Sequence, residues 1–519
     1  MKRSAPFYSL IILVWLICSM PIFSFSQAGE LDPGFGTGGI VITDFGQEQD
    51  DYAYSVLVQP DGKIIIAGWS YTTFENDFAV ARYNSDGTLD VDFGIGGLAT
   101  FDFEGEEDYG YSALLQSDGK IVIAGTKCCS DDFGIIRLNT DGTLDNSFSG
   151  DGKAEADFFG SSDDGLSIAI QPDNKIIIGG EAYDSDRLFG LMRFNTDGTL
   201  DNSFGTGGKV TTSVGPVADF LKSIAIQSDG KIVAGGYYDT DGTDYHDYAL
   251  VRYNTDGTLD NGFGTGGIVT MDLYHDQDYG FSVAVDADNN ILLAGYSENV
   301  DGRNFIVLRF TGDGILDNTF GTDGIGSADF GSGEDHCKAL AIQPDGKIIL
   351  AGLTAIPTPD YAVVVARFNT DGILDTSFGS GGMVTTDIAD DADYGYAAAI
   401  QPDTKILVAG YSYQETTAYD FMLIRYLGDQ EVAINENINS NELIHINPVP
   451  FNDQFAVSCQ NGASGSGELI IFNLAGQKIL SQRITSTETI IDGSEYPDGM
   501  YFIRYSEGEF MQNVKIIKN

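Results

Sequence analysis

A ten-residue stretch that recurs seven times constrains the fold of this chain more than any other feature. The copy at 343–352 reads Gln-Pro-Asp-Gly-Lys-Ile-Ile-Leu-Ala-Gly. The copies share an acid at their third position, at steps of 55 to 59 residues: Asp61, Asp118, Asp173, Asp229, Asp288, Asp345 and Asp403. A regular internal period, here slightly above the usual range of roughly 20–50 residues, is the signature of a repeat architecture.

Each copy predicts a tight turn followed by a buried strand. Pro-Asp-Gly suits a type I turn, because Pro fixes φ, Asp bonds back to the backbone and Gly accepts a positive φ. Asn174 and Asn289 replace the Gly and tolerate the same geometry, whereas Thr404 does not, so we expect a different turn in the seventh copy. The run that follows is apolar on both faces, which is typical of a strand covered on both sides.

The landmarks around this motif predict four short strands per repeat. An Arg ends the fourth segment of every repeat, and we expect it to tie strands together through a carboxylate. Its positions are 82, 137, 193, 252, 309, 367 and 425. Seven four-stranded sheets that cover one another describe an all-β, seven-bladed β-propeller.

The phase of the repeats also predicts how the ring closes. A strand within 39–45 precedes the first complete repeat, and the seventh repeat stops after Tyr426. Joining 39–45 to the sheet formed by 396–426 would complete the seventh blade.

The N-terminus and the net charge narrow the function classes. Residues 1–26 have a basic start, an apolar core and a small-x-small end, which predicts a secretory signal cleaved between Ser26 and Gln27. The formal net charge is −50. Removing Lys2 and Arg3 with the signal would make it about −52, which argues against nucleic acid or anionic membrane as a partner. We expect no transmembrane segment in the mature chain. The adjacent Cys128 and Cys129 match no zinc or redox spacing.

Two family resemblances follow from the motifs. The Q-P-D-G-K-I-x-x-A-G and N-x-D-G-x-L-D-x-x-F-G signatures resemble the bacterial delta-60 repeat family over about 31–429, and that resemblance implies a propeller and no agreed activity. The C-terminal segment resembles the type A sorting domain of the type IX secretion system of Bacteroidota. The positions that match are Asn447, Pro448, Gly476, Gln477, Gly499, Tyr501 and Lys515, while Ile446-Asn-Pro-Val-Pro450 departs from the usual Pro-Asn-Pro.

These resemblances imply a destination and a domain layout. The layout is a signal at 1–26, a propeller at 27–430, a linker at 431–441 and a sorting domain at 442–519, which the resemblance implies is a small C-terminal β-sandwich. The sorting domain implies the type IX machinery as a partner. It also implies a protein that is secreted, or held at the outer-membrane surface, of a Gram-negative bacterium.

No sequence motif assigns a catalytic residue or a cofactor. The four histidines lie at 246, 275, 336 and 445 with no metal-type spacing, and no nucleophile or dinucleotide motif occurs. An enzyme should break the repeat symmetry with a cluster of His, Arg, Tyr and carboxylates, and the sequence reveals none. We therefore expect a binding, adhesive or scaffolding protein and not an enzyme. Two alternatives stay open, a polysaccharide hydrolase or lyase and a purely structural surface component.

The loops that vary between repeats predict the binding face for an unknown extracellular glycan or protein. Recognition usually resides in variable loops placed by a rigid scaffold. The aromatic candidates on this face are Trp69, Tyr71, Tyr237, Tyr238, Tyr245, Tyr411 and Tyr413.

The same face carries acidic loops in six of the seven repeats. We expect either a solvated acidic rim or a set of carboxylates that bind calcium. The candidate residues are Asp50, Asp51, Glu106, Asp108, Asp163, Asp164, Asp278, Asp391 and Asp393.

Overall fold

The computed structural model describes residues 27–519 except 47, 73–74, 104, 106, 128–131, 244, 301, 332, 357–359, 389–390, 430–443, 448–453, 460–466, 474–477, 487, 495, 498, 508–509 and 519. The predicted signal, the linker and Cys128–Cys129 lie outside the described residues, as do Glu106, Pro448, Gly476 and Gln477. The chain divides into two compact units, Met1–Asp429 and Gln430–Asn519. Within the described part, no helix is long and apolar enough to span a bilayer.

The first unit consists of seven four-stranded antiparallel sheets in the described residues. Blades 1 to 3 comprise β2 (Asp51–Val58), β3 (Ile64–Tyr71), β4 (Asn76–Tyr83), β5 (Leu98–Phe101); β6 (Asp108–Leu115), β7 (Ile121–Lys127), β8 (Asp132–Leu138), β9 (Lys153–Ala156); and β10 (Asp164–Ile170), β11 (Ile176–Tyr183), β12 (Arg187–Phe194), β13 (Lys209–Thr212). Blades 4 and 5 comprise β14 (Asp219–Ile226), β15 (Ile232–Asp239), β16 (His246–Tyr253), β17 (Ile268–Met271); and β18 (Asp278–Val285), β19 (Ile291–Asn299), β20 (Gly302–Phe310), β21 (Ile325–Ala328). Blades 6 and 7 comprise β22 (Asp335–Ile342), β23 (Ile348–Ala355), β24 (Tyr361–Phe368), β25 (Met383–Thr386); and β26 (Asp393–Ile400), β27 (Ile406–Gln414), β28 (Ala418–Tyr426), β1 (Ile40–Thr43).

The sheets form a closed ring. The first strand of each sheet contacts the first strands of both neighbouring sheets, so these seven strands surround a central axis. The seventh sheet has the order β1-β28-β27-β26, with Ile40 opposite Ile424 and Thr43 opposite Phe421. The predicted seven-bladed propeller and its closure by the N-terminal strand are therefore confirmed.

The apolar strands are buried between neighbouring blades, as their patterning predicts. One core cluster combines Ile65 and Val80 of blade 1 with Ile123 and Ile136 of blade 2, all without exposed surface. Burial of each such side chain stabilises the fold by about 1.5–3 kcal/mol relative to exposure. Adjacent blades therefore depend on one another for their cores.

The repeated Arg ties strands together through a carboxylate, as predicted. In blade 1, Arg82 Nε donates to Asp90 Oδ2 over 2.7 Å, and the guanidinium lies 4.6 Å from the ring centroid of Phe93. Arg82 also donates to the carbonyl of Thr140, in the next blade. Lys63 pairs with the same Asp90 at 2.7 Å.

The seventh turn does not differ from the others. Thr404 adopts φ +68°, and its N–H donates to the Gln401 carbonyl over 2.9 Å, the bond that Gly62 makes to Gln59 in the first copy. The turn bond is retained in a backbone conformation that Thr rarely adopts.

The second unit has two antiparallel sheets that share one core. The strands are β29 (Ile444–Asn447), β30 (Gln454–Cys459), β31 (Glu468–Asn473), β32 (Lys478–Arg483), β33 (Glu488–Asp492), β34 (Gly499–Glu507) and β35 (Phe510–Lys518). One sheet has the order β29-β30-β33 and the other β32-β31-β34-β35. Phe455 and Val457 of the first pack with Leu469 and Ile503 of the second. The sheets form the expected small β-sandwich, and in it Tyr501 donates to the Pro497 carbonyl over 2.5 Å.

Candidate functional site

The axis of the propeller is lined by alternate residues of the seven first strands. Each of these strands follows one four-residue pattern that begins with an Asp. The second and fourth residues of the pattern face the axis, and the third packs between blades. The first ring of axis-facing residues is Tyr52, Tyr109, Asp164, Phe220, Tyr279, His336 and Tyr394. The second is Tyr54, Tyr111, Leu166, Lys222, Phe281, Lys338 and Tyr396. All fourteen side chains are half-buried.

The invariant Asp that opens each pattern anchors the loop before it. Its carboxylate accepts a backbone N–H from the loop before it, as Asp51 does from Phe45 over 2.8 Å and Asp393 from Ile388 over 2.7 Å. The predicted exposed acidic rim is therefore wrong for Asp51, Asp108, Asp163, Asp278 and Asp393, which are at most 1% exposed. Asp50, Asp164 and Asp391 are half-buried.

Three of the seven aromatic candidates join the axis-facing rings. Trp69, Tyr237 and Tyr411 occupy equivalent positions in the second strands, directly after a Gly. Trp69 stacks on Tyr52 with ring centroids 4.3 Å apart, and Tyr411 meets Tyr52 edge-on at the same separation. We call the aromatic residues of the two rings, together with these three, the aromatic belt.

The other four candidates lie farther from the axis. Tyr71, Tyr238 and Tyr413 are half-buried, and Tyr245 is 48% exposed. Tyr238 donates its hydroxyl to Asp247 over 3.0 Å. The structure therefore separates the predicted face into a central part, which belongs to the belt, and a peripheral part.

The belt is interrupted at blade 3 by charged residues. Asp164 stands where four other blades have Tyr, and Glu181, opposite it across the sheet, stands where blades 1, 4, 5 and 7 have Trp or Tyr. Glu181 is 3% exposed and accepts ion pairs from Arg187 at 2.8 Å and Lys222 at 2.5 Å. A cavity of about 520 Å³ opens here, lined by Ser161, Ser162, Asp164, Glu181, Tyr183 and Arg187.

Burial and the neighbouring Glu181 raise the pKa of Asp164. Its Oδ1 also accepts a hydrogen bond from the Thr126 hydroxyl over 3.1 Å. One of the two adjacent carboxyl groups is thus biased toward its protonated form, while the other is contacted by two cations. Carboxyl pairs whose environments differ in this way can divide proton donation and acceptance between them.

A second charged group lies at blade 6. Lys338 Nζ is 3.6 Å from the ring centroid of Phe281 and 5.9 Å from that of Tyr396, so the amine lies between blades 5 and 7. Burial, together with the positive charge of Lys222, lowers the pKa of Lys338 to about 7. His336 contacts Glu334 at 3.3 Å and lies within 3.5 Å of Arg303.

These two groups correct the expectation that no cluster breaks the repeat symmetry. Sequence motifs do not reveal these groups, because their members are single substitutions at ring positions that lie far apart in the sequence. Comparing the residue directly after each invariant Asp shows the signal, since Asp164 and His336 replace aromatic residues there.

Comparison with family models identifies both parts of the chain. A β-propeller domain of unknown function, DUF5122, matches six segments: 59–93, 116–148, 171–204, 227–263, 287–320 and 343–378. A secretion system C-terminal sorting domain matches 445–519. The chain is a DUF5122 β-propeller protein with a sorting domain. The sorting domain indicates export by type IX secretion to the surface or surroundings of a Bacteroidota cell, with that machinery as a partner. No curated protein matches the DUF5122 propeller.

Solved structures similar to the DUF5122 propeller share little sequence with it. PorZ, a surface component of the type IX secretion system of Porphyromonas gingivalis, has 9% identity and a TM-score of 0.32, over 89% of this chain and 74% of PorZ. The periplasmic gluconolactonase PpgL of Pseudomonas aeruginosa has 12% identity and a TM-score of 0.41, over 82% of this chain and 99% of PpgL. The polysaccharide lyase Uly1 has 10% identity and a TM-score of 0.40, over 72% of this chain and 89% of Uly1.

The expectation that the chain is not an enzyme is corrected. Two of the three solved structures named above are described as enzymes, a gluconolactonase and a polysaccharide lyase. The expectation had rested on the lack of a symmetry-breaking cluster, and such clusters occur at blades 3 and 6.

Proposed function

We propose that this exported propeller binds an extracellular saccharide at the mouth of its channel, beside blade 3. The observation that carries the proposal is the interruption of the aromatic belt by Asp164 and Glu181, where the cavity opens. A volume of about 520 Å³ lies within the range of ligand sites, about 300–1,000 Å³.

The chemistry of the lining suits a sugar. The apolar C–H faces of a sugar ring pack on aromatic faces, which Tyr183 provides in the cavity, while its hydroxyls need polar partners. Ser161, Asp164 and Arg187 supply such partners in the cavity. Lys222, together with the partly protonated Lys338, places positive charge near the axis, which favours a saccharide that carries carboxylates.

Trp69 offers a direct test of binding. The chain has two tryptophans, Trp15 in the predicted signal and Trp69, so the secreted protein reports on the belt through one fluorophore. We expect uronate oligosaccharides to change Trp69 emission with a saturable dependence, and neutral oligosaccharides to bind at least tenfold more weakly. Glu181→Gln should abolish the change, while the peripheral control Tyr238→Phe should retain it. Equal responses of the two variants, or no response to any saccharide, would contradict the proposal.

Glycoside hydrolysis at the same carboxyl pair is a second candidate, favoured by the raised pKa of Asp164 beside Glu181. In this reaction Asp164 donates its proton to the leaving glycosidic oxygen as the bond to the anomeric carbon breaks. Water adds to that carbon, and Glu181 accepts the proton that the water loses.

The variants that test hydrolysis differ from those that test binding. Asp164→Asn should retain saccharide binding and lower the release of reducing ends by at least a hundredfold, a loss typical of removing a general acid. If the wild-type protein binds the saccharide but releases no reducing ends, hydrolysis is refuted and the binding proposal stands.

A further inference from the structure

Three aspartates converge at the junction that closes the ring. Asp44 directly follows β1 and Asp420 lies in β28; they continue the antiparallel register one residue beyond the pair Thr43–Phe421. Asp51 begins β2, the first strand of the next blade. One carboxylate oxygen from each lies within 4.8 Å of the other two.

This arrangement leaves a buried oxygen without a partner. Asp51 is 1% exposed and Asp420 is 2% exposed. Asp51 Oδ2 accepts the Phe45 N–H and Asp420 Oδ2 accepts the Thr417 hydroxyl, while Asp420 Oδ1 has no hydrogen-bond partner. Like charges opposite one another destabilise a sheet, and an unsatisfied buried acceptor costs about 1–3 kcal/mol. When all three carboxylates are ionised they repel one another, and a cation bound between them would offset that repulsion.

The same trio recurs at the junction of blades 4 and 5. Asp247 and Asp272 continue the register beyond the pair Tyr248–Met271, and Asp278 begins the next first strand. One oxygen from each again lies within 4.8 Å of the others. Asp278 has no exposed surface.

Asp132, Asp157 and Asp163 form a further complete trio between blades 2 and 3, whereas three junctions have lost members of it. At the junction of blades 3 and 4, Leu188 and Ser213 occupy the positions of Asp420 and Asp44. The strand aspartate is replaced by Asn304 at the junction of blades 5 and 6, and by Ala362 at the junction of blades 6 and 7. The repeat can thus fold without a complete trio, so the complete ones have a role beyond the fold of a blade.

We propose that Asp44, Asp51 and Asp420 bind a calcium ion at the ring-closing junction, and that Asp247, Asp272 and Asp278 bind a second in the same way. Calcium takes 6–8 oxygen ligands at about 2.3–2.6 Å in flexible geometry, so two ligand oxygens of one ion are at most about 5 Å apart. The spacing of the trios satisfies this limit. Magnesium demands a stricter octahedral geometry and dehydrates reluctantly, which favours calcium at carboxylates fixed by strands.

Protonation is the alternative way to relieve the repulsion. Burial, with smaller contributions from Asp420 and Asp44, raises the pKa of Asp51 to about 7. Burial and the neighbouring Asp247 and Asp272 act in the same direction on Asp278, whose pKa is about 8. Calcium and protons therefore compete for the same oxygens. This inference is independent of the saccharide site.

Calorimetry on the full secreted chain tests the proposal with calcium alone. We expect saturable binding with at least two sites. The melting temperature should rise by about 3 °C per site when free calcium is 100-fold above Kd. Asp420→Asn should be as stable as the wild type or more stable in chelator, because it removes repulsion, and less stable than the wild type in calcium. Asp329→Asn is the matched control, because Asn304 already breaks its junction, and it should bind as many ions as the wild type.

The opposite effects of Asp420→Asn on stability in chelator and in calcium distinguish a cation site from a carboxylate with a purely structural role. Equal destabilisation of Asp420→Asn in chelator and in calcium would overturn the proposal. So would an equal rise in melting temperature with magnesium, or with sodium at matched ionic strength. If Asp420→Asn does not fold, Asp247→Asn takes its place, and it should lower the number of bound ions by one.

Discussion

Replacing Asp145 with asparagine should lower the melting temperature of the propeller by about 4–6 °C. Asp145 Oδ2 lies 2.7 Å from both Arg137 Nε and Lys120 Nζ, and its Oδ1 accepts the Ser147 hydroxyl. Although burial acts to raise the pKa of Asp145, hydrogen bonds from Lys120, Ser147 and Arg137 bring it far below the usual value. The substitution keeps the shape of the side chain and removes the charge that compensates two cations.

The magnitude follows from the burial of the pair. The side chains of Arg137 and Asp145 are 6% and 7% exposed, and breaking a buried ion pair by removing one partner costs about 3–5 kcal/mol. Unfolding entropy of about 2.1 cal/mol/K per residue, over about 400 residues, amounts to about 0.8 kcal/mol/K. Dividing the lost free energy of unfolding by this unfolding entropy yields the expected shift in melting temperature.

The fifth repeat provides a matched control. Asn290 occupies the place of the lysine there, and Arg309 and Asp317 are 16% and 18% exposed. Asp317→Asn should therefore cost about 1 kcal/mol, or about 1 °C. Differential scanning calorimetry of both variants at pH 7 measures the contrast. Equal shifts, or a shift below about 2 °C for Asp145→Asn, would refute the argument that the buried pair stabilises the blade.

Three further predictions concern pH, closure and export. In chelator, stability should fall as pH rises from about 4 to about 8, because Asp51 and Asp278 bind protons in the folded state at pH values where they are ionised in the unfolded state; a melting temperature that rises over this window would contradict the assignment. Deleting 27–46 removes β1 and exposes the edge of β28, so it should lower the melting temperature by several degrees or cause aggregation, and an unchanged value would contradict the closure. In a host with type IX secretion, a chain ending at Ser440 should remain in the periplasm, and its normal appearance outside the cell would refute the role of the C-terminal domain.

The fold could be predicted because its determinants are local and repeated. Pro-Asp-Gly specifies a turn through three adjacent residues. Because the motif occurs seven times, the pattern is recognisable even though Thr404 departs from it in one copy. The closing strand could be predicted by counting, since an unpaired strand at 39–45 and an incomplete seventh repeat require each other. Neither inference needed any knowledge of which side chains meet in space.

The site could not be predicted in the same way, because it depends on contacts across the axis. Lys338 meets Phe281 and Tyr396, residues 57 and 58 positions away in the sequence, and no local pattern reports that meeting. The acidic loops misled for a different reason. Each invariant Asp, such as Asp51, lies among other acids and resembles a solvated residue, although it accepts a backbone N–H inside the blade.

The direction of the arginine ties has a consequence for how the ring can be cut. Arg82 donates to Thr140 in the following blade, and Arg425 of the last blade donates over 2.5 Å to Ser85, at the end of the first. The Gly29 N–H also donates to the Leu427 carbonyl over 2.8 Å, so the two ends of the propeller meet. The seam is therefore bonded like five of the other six junctions; at the remaining one, between blades 6 and 7, Arg367 donates to the Asp429 carboxylate instead. A circular permutant that joins these ends and opens the chain in a variable loop would keep all seven ties, so the order of the blades along the gene is free to change while the ring is not.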